Sequence, residues 1–129
     1  DVRTGWYDAG VQSAGKNKLV PSVSLALQNV SDREIASVQL NAVFRQVTDP
    51  DTWGEHFIRA IDTVGLAPGS ATGSLVLRSS RGYTGIQPRL QMLQNKEFVD
   101  AMAVVYGKHG SRNWVKIGEF PIDRQLLTE

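Results

Sequence analysis

Over residues 38–45 the side chains alternate in polarity with a period of two. Val38, Leu40, Ala42 and Phe44 share one face, and Gln39, Asn41 and Arg45 the other, with Val43 the exception. That period belongs to an extended strand with one buried face, not to a helix. Residues 22–28 repeat it, with Val23, Leu25 and Leu27 set against Ser22, Ser24 and Gln28. Between the two runs lies Asn29-Val30-Ser31-Asp32-Arg33-Glu34, built from residues that accept tight backbone geometry. The pair predicts an antiparallel unit or a connection between two sheets.

Further strands follow at short intervals. Residues 2–12 hold Trp6, Tyr7 and Val11 and read as a first strand broken at Gly10. In residues 56–62, Phe57, Arg59 and Ile61 share a face, which predicts an exposed edge strand. Leu66-Ala67-Pro68-Gly69-Ser70 is a turn, and residues 73–78 offer Leu75 and Leu77 to a core. Residues 98–106 are apolar nearly throughout, which predicts a central strand covered on both faces. Residues 108–113 form a hairpin loop before a last strand over 114–120, where Gly118 is placed to host a bulge. Pro88 opens the one helical segment, near residues 88–97. About seven short strands with turns between them predict an all-β antiparallel sandwich of immunoglobulin/fibronectin-III-like type, with a closed barrel as the competing solution.

Length and composition fit one domain spanning residues 1–129. A chain of 129 residues with 41% hydrophobic and 21% charged residues buries a core without help from a metal or disulfide. The absence of cysteine removes disulfides, thiolate zinc sites and cysteine nucleophiles together. A net charge of +1 gives no bulk attraction to nucleic acid. No apolar run approaches the ~18 residues of a membrane span. The chain starts at Asp1 rather than methionine, and a signal or single anchor ahead of Asp1 is expected.

Three motifs within residues 19–70 bear on family. They are Leu27-Gln28-Asn29-Val30-Ser31-Asp32, the alternating run from Val38 to Phe44, and Leu66-Ala67-Pro68-Gly69. This order resembles bacterial extracytoplasmic immunoglobulin-like domains of the FxLYD type. After Phe44, residues 45–54 replace the aromatic-aspartate-glycine turn of that pattern. The resemblance implies a module of the periplasm or cell surface with no catalytic residue to carry over.

Candidate chemistry is sparse. Glu55 and His56 beside Asp49 and Asp51 form the only metal-like or acid–base-like cluster, but the aspartates sit in a proline turn that explains them. Asp49-Pro50-Asp51-Thr52 lacks the ligand order of a calcium loop. His109 lies in a hairpin without a nucleophile or carboxylate nearby in sequence. Residues 79–85 carry two glycines but not phosphate-loop spacing. Asn29-Val30-Ser31 is formally a glycosylation sequon and reads more simply as a turn. No cofactor or metal site is expected.

In immunoglobulin order, loops at 15–18, 49–54 and 79–96 share one end of a sandwich. That end carries Trp53, Arg81, Tyr83 and Arg89, aromatic and arginine side chains of the kind that anchor interfaces. These four are the expected partner-binding residues, with the edge strand near 56–62 as a second route. The functional expectation is a non-catalytic binding or assembly module of the bacterial cell envelope. It would contact another envelope protein, and the membrane only through a segment ahead of Asp1. A carbohydrate- or small-ligand-binding accessory domain is the alternative, with Trp53 and Tyr83 as its aromatic platform.

Overall fold

The computed structural model describes residues 2–12, 15–94 and 98–127. Its strands are β1 (Val2–Val11), β2 (Asn17–Leu25), β3 (Val38–Gln46), β4 (Gly54–Ile61), β5 (Leu75–Arg78), β6 (Tyr83–Gly85), β7 (Ala101–His109), β8 (Val115–Pro121) and β9 (Leu126–Leu127). A single helical stretch, α1 (Arg89–Gln94), precedes β7. Residues 95–97 of the expected helix lie outside the described residues.

Two sheets face each other. One has the order β5-β2-β1-β9, with β6 also on β2, and the other the order β4-β3-β7-β8. This is an immunoglobulin/fibronectin-III-like sandwich. Every ladder is antiparallel except that of β9, which runs parallel to β1. The alternation places Leu40, Ala42 and Phe44 of β3 inside, against Trp6, Leu19, Val23 and Leu77 of the other sheet, all fully buried. Each large apolar side chain so enclosed stabilises the fold by about 1.5–3 kcal/mol.

The two open sides of the sandwich are closed differently. On one, β4 and β5 share no ladder; instead His56 Nδ1 accepts a hydrogen bond from Arg78 N at 2.9 Å. That gap rules out a closed barrel. On the other, the chain leaves β8 and crosses to β1. Thr4 Oγ1 donates to Pro121 O at 3.0 Å, Trp6 N to Gln125 O at 2.8 Å, and Gln125 Nε2 to Thr4 O at 2.6 Å.

Pro21 sits inside β2, where proline is ordinarily excluded. Its carbonyl accepts from Ser79 N, so its nitrogen faces the same side, the gap between β5 and β6. No ladder donor is lost there.

Several expectations need correction. Nine strands form instead of about seven, because β6 and β9 are too short to leave a periodic signal. Ile61 does not share the exposed face of Phe57 and Arg59. A register shift against Val38 and Gln39 makes Ala60 an extra residue and turns Ile61 inward. The strand expected over 98–106 runs instead from 101 to 109, because Arg124 captures the preceding segment. Its guanidinium binds Asp100 at 2.7 Å, Leu93 O at 3.1 Å and Phe98 O. Nor is β7 covered on both faces: Ala101, Ala103 and Val105 are buried, but Met102, Val104 and Tyr106 face outward and are only half-buried. The bulge at Gly118 forms, with Ile117 as the extra residue.

Candidate functional site

The expected sharing of loops holds for the described residues. Residues 12, 15 and 16, the 47–53 loop and the 79–88 connection meet at one end, while 26–37, 62–74 and 110–114 meet at the other.

At the first end the core is plugged by aromatic rings. Trp53 lies in the β3–β4 loop and is anchored by its N–H, which donates to Phe44 O at 2.7 Å. Its ring meets Trp6 at a centroid distance of 6.3 Å and Tyr83 at 5.1 Å. Tyr83 also stacks on Phe98 at 4.6 Å and Trp6 at 5.6 Å. The Tyr83 hydroxyl accepts from Gln46 Nε2 at 2.6 Å and donates to Val99 O at 2.9 Å. Four rings and a hydroxyl thus tie β1, β3, β6 and the start of β7 together. Such contacts add roughly 0.5–1.5 kcal/mol per ring pair beyond burial.

Two glycines permit the close approaches here. A side chain at Gly54 would overlap the Ser79 hydroxyl, and one at Gly82 the Leu19 carbonyl. The 79–82 segment is therefore pressed flat onto β2. Ser79 Oγ accepts from Arg81 N at 3.1 Å, and Lys18 Nζ donates to Ser80 O at 2.8 Å.

Above this plug lies an open groove of about 420 Å³, lined by Gln12, Lys16, Lys18, Trp53, Arg81 and Thr84 among others. Lys16, Lys18 and Arg81 border it, and among the described residues no carboxylate lines it, which favours an anionic occupant. Trp53 contributes an edge to the groove while most of its ring packs inward.

The four expected binding residues therefore separate. Trp53 and Arg81 reach the groove. Tyr83 belongs to the plug beneath it. Arg89 on α1 pairs with Asp8 of β1 and holds the helix against the sheet. The hydrogen bond from the Arg89 guanidinium lowers the Asp8 pKa, burial opposes it in part, and the Gly10 N–H adds a smaller lowering. Sequence reasoning passed over Lys16 and Lys18. Their spacing of two, at the start of a strand, is the signal that puts both on one side.

The remaining candidates take structural places. His56 bridges the sheets, as described. Asp49 Oδ1 accepts from Asp51 N at 2.9 Å, which is turn chemistry. His109 is exposed at the opposite end. No three His, Asp or Glu groups converge among the described residues. Asn29 of the sequon is 2% exposed, and its amide nitrogen donates to Arg33 O at 2.7 Å and Leu66 O at 2.8 Å. A glycan has no access to that nitrogen in the folded domain.

No protein-family model, curated protein or solved structure matches the chain. The fold and this end define an immunoglobulin-like sandwich with an open groove bordered by Lys16, Lys18 and Arg81.

Proposed function

We propose that the domain is a non-catalytic recognition module of the bacterial cell envelope, which binds an acidic segment of another envelope protein at the loop end. The observation that carries this is the set Lys16, Lys18 and Arg81 around the edge of Trp53. Three cations with no carboxylate among them, on loops fixed by the aromatic plug, favour an anionic partner and fast, salt-sensitive association. The resemblance of residues 19–70 to FxLYD-type domains supports the extracytoplasmic setting. The carbohydrate alternative is less well supported at this end. Its platform requires Trp53 and Tyr83 to face solvent, and both rings pack into the core.

A photo-crosslinking residue placed at Arg81 in living cells tests the proposal, with one at Asp32 on the opposite end as control. The expected result is one dominant envelope-protein adduct from position 81, absent from position 32 and lost in Lys16→Glu/Lys18→Glu. Equal adducts from both ends, or an adduct indifferent to the charge reversal, would overturn it.

A further inference from the structure

On the outward face of the β4-β3-β7-β8 sheet, apolar side chains stand where alternation calls for polar ones. Val43 breaks the pattern of β3, Phe57 that of β4, and Val104 and Tyr106 that of β7. All four point away from the core onto one surface. Phe57 is 58% exposed there and Trp114 is 38% exposed. Trp114 enters from the far edge of the sheet, yet its ring reaches Phe57 at a centroid distance of 6.1 Å. The register lines up Phe57, Asn41, Tyr106 and Lys116 in a single row across all four strands. Phe57 and Tyr106 of that row, with Val43, Val104 and Trp114 around them, make an apolar patch beside the polar Asn41 and Lys116, and such a patch on a solvated face marks a contact surface.

The charges flanking that row indicate its occupant. On β4, Glu55 and Arg59 project from the same face as Phe57, one pleat to either side. Neither has an ion-pair partner among the described residues. Glu55-x-Phe57-x-Arg59 is therefore its own complement when the strand direction is reversed. A two-fold axis lying along the central row sets Phe57 on Phe57 and Glu55 of each copy against Arg59 of the other, the reciprocal geometry of an isologous interface, and brings the two Lys116 side chains, each paired with Glu119 of its own chain, to the edge of the contact.

We propose that the partner for this face is a second copy of the same chain, stacked sheet on sheet with the β4 strands antiparallel. Four strands ~4.8 Å apart and ~20 Å long offer roughly 400 Å² per copy. The ~800 Å² buried in total falls below the ~1,000 Å² of a stable interface, so the dimer is weak and concentration-dependent. This interface is separate from the loop end and leaves its groove open.

Sedimentation equilibrium of the chain between ~10 μM and ~1 mM reads the association directly, a range suited to a weak interface. The expected result is a monomer–dimer equilibrium that Glu55→Arg or Arg59→Glu alone weakens about tenfold or more. Glu55→Arg/Arg59→Glu together restore it to within about threefold, because the reversed charges again face each other. Phe57→Asp abolishes it, and Lys16→Glu/Lys18→Glu leaves it unchanged. Thermal melts of each variant separate dimer loss from misfolding, since all three β4 positions are exposed. A chain that stays monomeric throughout overturns the proposal. So does a double reversal no more dimeric than the single ones, which would assign the face to a different partner.

Discussion

The two ends of the sandwich are finished by different physics. At the end away from the groove, one side chain organises the loops. Asn29 donates to Arg33 O and Leu66 O, and its Oδ1 accepts from Ser31 N at 3.0 Å and Ser31 Oγ at 2.6 Å. Its backbone adds two more bonds, to Ser70 and Gly69. The polar groups of Asn29 there are turned inward and bonded to the chain itself. At the groove end, closure comes from the rings of Trp6, Trp53, Tyr83 and Phe98. Ring packing needs no polar side chains, so Lys16 and Arg81 are left free to face outward. The contrast teaches how one end keeps charge at its surface: rings close it, and among the described residues only Lys18 of its three groove cations is tied to the chain.

Four substitutions test that division. Asn29→Ala has the largest expected effect, a loss of about 3 kcal/mol in urea unfolding, because it removes four side-chain hydrogen bonds made from a buried position. A loss under about 1 kcal/mol would show that this end is not centred on Asn29. Trp53→Ala is expected to cost about 2 kcal/mol, as a partly buried ring leaves a space the plug cannot fill. Should the melting temperature hold while partner affinity collapses, Trp53 serves recognition rather than closure. Tyr83→Phe keeps the ring and removes only the hydroxyl bridge, for about 1 kcal/mol. Arg89→Ala is the smallest, at about 0.5 kcal/mol or less for a solvent-screened pair, and its signature is pH. The native Asp8 pKa is lowered, so its contribution is complete above the unfolded-state value near ~3.9 and fades as pH falls through the native value. Thermal melts from pH 6 down to pH 2 should therefore converge for wild type and variant at the acid end. A constant difference across that range would deny the ion pair its role.

Much of the fold was legible because alternation reports directly on which face is buried. Residues 38–44 and 22–25 were placed correctly for that reason, and so was the bulge at Gly118. The parallel pairing of β9 was not, since two residues cannot display a period. Trp53 was half legible: a tryptophan between Thr52 and Gly54 declares a loop, but nothing in one sequence says whether the ring turns in or out. It turns in because Gly54 lets the loop lie against Ser79 and Tyr83 offers a face to receive it. The continuous apolar run at 98–106 misled for another reason. Two buried faces and one buried face plus one half-buried apolar face write the same residues.

The parallel contact between β1 and β9 also sets how the domain responds to force. Tension that pulls the start of β1 away from the end of β9 drags the two strands past each other. The bonds from Trp6 to Gln125 and from Gln125 to Thr4 are then loaded together rather than opened one at a time. A domain strung into a stretched chain would yield in one abrupt step, with this short seam as its mechanical fuse.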